Sequence, residues 1–331
     1  MSLQPRYRRL FTFGDVLDES VRLYRAHWVP FALVSAISLL PPGLLVVGVS
    51  AAGLVTTSFN FADLQAGRFD SPALLSSQIN ALLAIGGIST LFILVWTAAI
   101  VVTTDAYLRG EEPALSRVYG RAVRRFLVVL VASLVIVLAQ VVLTVIGTLL
   151  FVITLFGVLG SVIAGVALLF WWLRPGARKT WVKWLIILTS PFGLPTYYLF
   201  RWSMYTAAIV LEDYGPIGCL GRSSQLVDRQ WFRVMGILSV ASLIVGILLW
   251  VLSALVNFPL AIFEATRGQF GLSPAEAAIS GGFATIVRIL FESLGVIVYT
   301  ILFVDLRNRR EGTDIVERLS QLEATPITAN G

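Results

Sequence analysis

FLVVLVASLVIVLAQVVLTVIGTLLFVITLFGVLGSVIAGVALLFWWL, residues 126–173, runs for 48 residues without a charged side chain. A bilayer core of about 30 Å is crossed by roughly 20 apolar helical residues, so a run of this length reads as two spans. Phe156, Gly157 and Gly160 lie near the turn between them. Working outward, residues 30–55, 81–104 and 235–256 are also charge-free and long enough to cross. Residues 281–304 have the length but carry Arg288 and Glu292, and residues 184–211 contain Arg201 and are interrupted by Pro191, Gly193 and Pro195. The fold class that follows is an all-α polytopic transmembrane helical bundle of six full spans plus one partial or broken element.

Composition agrees with that reading and removes much enzyme chemistry. Of 331 residues, 57% are hydrophobic and 13% charged, which does not describe a water-soluble chain. The one cysteine, Cys219, excludes an intrachain disulfide and a cysteine-clustered metal site, and the one histidine, His27, excludes multi-histidine zinc and bis-histidine haem. No metal or cofactor is therefore expected. Neither His-Glu-x-x-His nor Gly-x-Ser-x-Gly is present, and no glycine-rich loop ends in Lys-Ser/Thr, so no catalytic or cofactor-binding residue is assigned and the chain reads as a non-enzyme.

Lysine and arginine flanking a span are retained in the cytoplasm, so their positions orient the bundle. Of 25, 21 fall in residues 1–28, 105–125, 174–183, 212–233 and 305–331. Both termini then face the cytoplasm, and the loops at 56–80 and 257–280 face outward. A conflict of parity remains around 184–211, because a single full crossing there would put the basic 212–233 segment outside. Either 184–211 re-enters at the 191–195 break, or one half of the long apolar run does not fully cross. The apolar stretch beginning near residue 30 is too long for a signal-peptide core and carries Pro41 and Pro42, so it is expected to stay in the mature protein. Only two of the basic residues are lysines, an arginine bias that suits a GC-rich bacterial genome and hence a bacterial inner membrane.

The basic segments resemble one another. Leu17, Ser20 and Trp28 match Leu220, Ser223 and Trp231 at one offset of 203, and Trp96-Thr97 matches Tyr299-Thr300 at the same offset. Trp96-Thr97-Ala98-Ala99-Ile100 matches Tyr205-Thr206-Ala207-Ala208-Ile209, and the middle copy keeps the spacing of eleven between Leu115 and Phe126. The chain divides accordingly into unit 1 at 1–110, unit 2 at 111–215 with an insertion near 174–195, unit 3 at 216–312, and a polar cytoplasmic tail at 313–331. Each unit is a short amphipathic interfacial helix followed by a transmembrane hairpin. In the first, Val16, Val21, Leu23, Tyr24 and Trp28 supply the apolar side, Asp18, Glu19, Arg22 and Arg25 the polar side, and Asp15 the cap. Units 1 and 3 match best and are expected to pack as neighbours.

These landmarks together resemble the glycerophosphoryl diester phosphodiesterase membrane-domain family and related bacterial inner-membrane proteins. The residues that carry the likeness are Phe13-Gly14-Asp15-Val16-Leu17-Asp18 with Leu23-Tyr24-Arg25 and Trp28; Arg201-Trp202 with Glu212-Asp213-Tyr214-Gly215-Pro216; Gly221-Arg222-Ser223-Ser224 with Trp231; and Asp305-Leu306-Arg307 with Arg309-Arg310-Glu311-Gly312. The resemblance implies a membrane region of the kind that precedes a soluble phosphodiesterase barrel in other members. The sequence reads as that membrane region alone.

Ionisable groups at bilayer depth are functional candidates by default. Arg288 and Glu292 stand one helical turn apart, and Arg201 is a further partner for Glu292. They form a polar relay, an ion or headgroup site or a gate on one reading, and a structural ion pair on the other. Gln140, isolated in a strongly apolar span, reads as a hydrogen bond across helices. His27 reads as a solvated interfacial ring, residues 191–195 as a broken helix or a plain turn, and Gly86-Gly87 and Gly281-Gly282 as close-packing points. The basic flanks attract anionic lipid headgroups at about 1 kcal/mol per residue near the surface, and protein partners within the membrane are expected but no nucleic acid. The leading functional expectation is a non-enzymatic scaffold, assembly factor or membrane-organising subunit; the alternative is a small-molecule or lipid transporter or channel using the intramembrane charges. A topology reporter inserted at Gly110 should report a cytoplasmic location and one inserted at Arg267 an external one, which swapped signals would contradict.

Overall fold

The computed structural model describes residues 10–52, 72–153, 165–166, 193–266 and 272–311, among which the chain forms helices and no strand. In order these are α1 (Phe13–Ala26), α2 (Trp28–Ala51), α3 (Pro72–Arg109), α4 (Leu115–Ile153), α5 (Gly193–Arg201), α6 (Tyr205–Glu212), α7 (Gly218–Val227), α8 (Trp231–Thr266), α9 (Pro274–Phe291) and α10 (Ser293–Glu311). Among the described residues five stretches are long and apolar enough to cross a membrane: Trp28–Ala51, Leu83–Arg109, Leu115–Thr148, Trp231–Thr266 and Pro274–Glu311. The second half of the 126–173 run, its turn near Phe156 and the basic 174–183 stretch lie outside the described residues, apart from Gly165 and Val166.

The element over 184–211 is short in its described part. α5 has nine residues and α6 eight, so at 1.5 Å per residue each is only about 12–14 Å long, well under a bilayer core. Among the described residues an interruption falls at 202–204; residues 184–192 lie outside them. Pro195 sits in the first turn of α5, where its missing N–H would have had no intrahelical acceptor.

Helix ends differ from the apolar runs because capping, not hydropathy, sets them. Pro274 opens α9 behind Ser273, whose hydroxyl accepts from Glu276 N while the Glu276 carboxylate accepts from Ser273 N at 2.9 Å. With α8 continuing through Pro259 to Thr266 and α9 starting at Pro274, helix occupies most of the stretch read as the loop 257–280. Likewise α3 begins at Pro72, inside the loop read as 56–80. In α1 the cap is Thr12, and Asp15 is the return arm of the capping box. Glu19 also changes sides: it is buried with Val16, Ser20 and Leu23 and paired with Arg22, while Val21 is exposed.

Two compact units emerge, residues 1–126 with 236–331, and residues 127–235. In the first, α2 packs on both α9 and α3, and α10 packs on α1 and α3. Thus α1–α3 of sequence unit 1 pack with α9 and α10 of unit 3, whereas α7 of unit 3 belongs to the other compact unit. Trp96 Nε1 donates to Ser35 Oγ at 3.0 Å, and the Tyr119 hydroxyl donates to the Val34 carbonyl at 2.7 Å, fixing α2 in register with α3 and α4. The fully buried Asp305 accepts Phe11 N at 2.9 Å and Arg309 Nε at 2.9 Å, and Arg309 reaches the Phe11 carbonyl.

In the second unit α7 packs on α5 and α6. The Ser223 hydroxyl accepts Met204 N at 3.0 Å and donates to the Arg201 carbonyl at 2.9 Å, while Trp231 Nε1 donates to the Tyr197 carbonyl at 3.0 Å. Trp28 and Trp231 each open a long helix after a short one, yet Trp28 is half exposed and Trp231 is buried. Phe126 marks no such boundary, because α4 runs unbroken from Leu115.

At Gly43 the backbone of α2 lies close against Thr285 of α9. A Cβ there would lie 2.3 Å from Thr285 Cγ2 and 2.7 Å from its Oγ1, and a β-branched side chain in a helix has little rotamer freedom to yield. Gly43→Ala should therefore lower stability by about 1–3 kcal/mol, as overpacking does, measured by thermal unfolding in detergent. Thr285→Ala in the same chain should restore part of the loss.

Candidate functional site

Glu292 is the single residue between α9 and α10. Its backbone stays near helical values, its N–H bonds the Arg288 carbonyl at 3.0 Å, and Gly295 N bonds the Glu292 carbonyl at 3.2 Å, a tighter i,i+3 closure between the two helices. A helix end leaves carbonyls without intrahelical donors, and the one at Leu290 accepts from the Tyr24 hydroxyl of α1. Burial holds the Tyr24 phenol above its ordinary range, so it stays protonated and able to donate. This contact had no signature in the sequence, since the two residues are 266 apart.

Around the break, Arg288 reaches forward one turn and grips Glu292 with two hydrogen bonds, Nε to Oε2 at 2.7 Å and Nη2 to Oε1 at 3.0 Å. The fork-to-carboxylate geometry is the strong form of this pair. Both side chains remain partly accessible, 44% for Arg288 and 24% for Glu292, and Arg288 Nη1 has no hydrogen bond among the described residues. Arg288 also lines a cleft of about 160 Å³ among α2, α3 and α9. The small residues Gly281 and Ala284 open its α9 wall, and Leu39 and Val46 of α2 and Ile93 of α3 supply the rest of the apolar lining.

Arg288 and Glu292 are thus brought together as their spacing implied. Arg201 has a different ionic partner, Asp228 at 3.1 Å, with the Tyr197 hydroxyl at 3.0 Å and the Tyr197 and Tyr198 rings 5.7 and 6.0 Å from its guanidinium carbon. That set joins α5 to the end of α7, so in the second unit Arg201 is a clamp between helices. Gln140 Nε2 is buried with no hydrogen-bond partner among the described residues, which leaves its expected bond across helices unmade on that side. The His27 ring is stacked on Tyr107 with centroids 4.0 Å apart rather than standing in solvent. Gly281 and Gly282 do meet α2, through Val46 and Val47, whereas Gly86 and Gly87 have nothing within 4 Å. Residues 191 and 192 lie outside the described residues.

No family model, curated protein or solved structure matches this chain.

Charged pairs that the sequence reading did not single out lie at helix ends. Asp305–Arg309 and Asp105–Arg109 are both i,i+4 pairs, and that shared spacing was the available signal. Glu212 and Arg222 make a bidentate pair across the α6–α7 turn at 2.7 and 2.9 Å. Asp105 Oδ1 and Arg109 Nε are buried without partners among the described residues, so the Asp105 pair is less completely satisfied than that of Asp305. No group of three or more His, Cys, Asp or Glu side chains able to hold a metal occurs among the described residues.

Cys219 is fully buried in α7, and burial pushes its thiol from 9.0 to about 11. At pH 7–9 the folded protein should resist maleimide until denaturant exposes the thiol. Because the folded pKa is the higher one, the thiol's contribution to stability is intact below pH 9 and should fall between pH 9 and 11. Cys219→Ser should remove that part of the alkaline loss in a pH series of melting temperatures.

Proposed function

We propose that this protein is a non-enzymatic membrane-organising or scaffold subunit, seated in a bacterial inner membrane with both termini in the cytoplasm. The observation that carries this reading is the closure of its charged groups on one another. Arg288 is taken up by Glu292, Arg201 by Asp228, Arg222 by Glu212 and Arg309 by Asp305. A satisfied pair needs no substrate; Arg222–Glu212 and Arg309–Asp305 are the more buried of the four, while Arg288–Glu292 and Arg201–Asp228 stay partly exposed, where an ion pair contributes only about 0–1 kcal/mol.

Lipid is the partner that the outward charge favours. Arg117, Arg121 and Arg124 follow one another at helical spacing on the exposed first turns of α4, and Arg22 and Arg25 are exposed on α1. Such stripes suit the anionic headgroups of a cytoplasmic leaflet. The resemblance to membrane regions that accompany a catalytic domain in other proteins agrees with a subunit role.

A transporter is the second reading, favoured by the break in the α9–α10 span beside a charged pair, since broken helices line transport sites. Water separates the two. In Ala284→Cys the cleft carries a thiol while the Arg288–Glu292 pair stays intact, and buried Cys219 contributes no background. The scaffold reading expects protection from a membrane-impermeant maleimide on either side of proteoliposomes. Labelling at the rate of an exposed cysteine would replace it with the transporter reading.

A further inference from the structure

We propose that the cleft among α2, α3 and α9 is a binding site for a small, electrically neutral, hydrocarbon-soluble molecule bearing a carbonyl-type oxygen, which accepts a hydrogen bond from Arg288. This does not rest on the subunit role.

Shape comes first. Gly281, Ala284 and Thr285 lie at helical spacing on the α9 face that ends in Arg288, and the two small residues leave room that Leu39, Val46 and Ile93 bound with hydrocarbon. At about 160 Å³ the space compares with an apolar cavity of roughly 150 Å³ that accommodates benzene, so its natural content is one ring or a short alkyl segment.

Charge and hydrogen bonding then choose among occupants. Both Glu292 oxygens are engaged by Arg288, so no carboxylate is left for a cation. The guanidinium charge is already balanced, and an incoming anion would meet that carboxylate as a like charge. What is left over is donor capacity: Nη1 has no hydrogen bond among the described residues, in a stretch apolar enough to cross a membrane, and the Ser89 hydroxyl on the α3 wall is a second, weaker donor. Within hydrocarbon an unmet N–H is costly, and a neutral acceptor relieves it without disturbing the ion pair. A purely apolar occupant would fill the cleft and leave the donor unmet.

Three probes of nearly the same shape separate these cases: 4-fluoroacetophenone carries the neutral acceptor, 4-fluoro-α-methylstyrene replaces its oxygen by a methylene, and 4-fluorobenzoate carries an anion. Binding is followed by fluorine NMR to the full chain in phosphatidylcholine nanodiscs, with empty discs as background. The ketone should give a saturable bound signal, with the styrene and the benzoate each about tenfold or more weaker, the difference expected of a hydrogen bond to a charged donor. Arg288→Met should abolish the preference for the ketone over the styrene. Ala284→Leu, which fills the cleft and keeps both charges, should abolish binding of the ketone, and it carries the test alone should Arg288→Met fail to fold. Equal binding of ketone and styrene, preference for the benzoate, a ketone signal unchanged by Ala284→Leu, or none above empty discs would each overturn the proposal.

Discussion

The larger compact unit depends on one buried carboxylate. Its two stretches of chain are separated by the whole of residues 127–235, and Asp305, with none of its surface exposed, is where they are tied. It accepts the Phe11 amide and Arg309, and Arg309 closes the ring on the Phe11 carbonyl. A carboxylate taken fully from water must be paired and hydrogen-bonded, and these contacts meet that demand with groups from both ends of the chain. The α1–α10 and α2–α9 contacts align the same two stretches. Gly43 against Thr285 sets how near they come, and Tyr24 against Leu290 links the first helix to the break in the last span.

What was legible in the sequence was what depends on local composition. Long apolar runs, all but one of them charge-free, located the described helices that can cross a membrane, and the four-residue spacing of Arg288 and Glu292 foretold their pairing. An interruption within 184–211 was expected too, and one lies at 202–204, which no proline or glycine marks, whereas Gly193 and Pro195 fall inside α5. A proline in the first turn of a helix starts it rather than stops it.

The rest was hidden for two physical reasons. Hydropathy follows the bilayer, whereas helix ends follow capping, so Ser273 and Glu276 could place the start of α9 seven residues before residue 281 without changing the apolar run. Contacts between distant residues have no period to read. Nothing local distinguishes Asp305 from an exposed acid, or Glu19, on the buried side of α1, from its neighbour Asp18. Arg201 shows the same limit, since its partner Asp228 became apparent only once α5 and α7 were side by side.

The clasp between Phe11 and Asp305 also imposes an order in time. The two residues are 294 positions apart, and a ribosome adding about 5–20 residues each second needs roughly 15–60 s to travel from one to the other. For the greater part of that interval, from the completion of α3 at Arg109 until Pro274 is reached, α1, α2 and α3 exist without the α9 and α10 surfaces against which they pack. The nascent chain must therefore wait in or on the membrane with Phe31, Val34 and Ile100 covered by lipid or by a helper. Its core can close only as the last helix emerges.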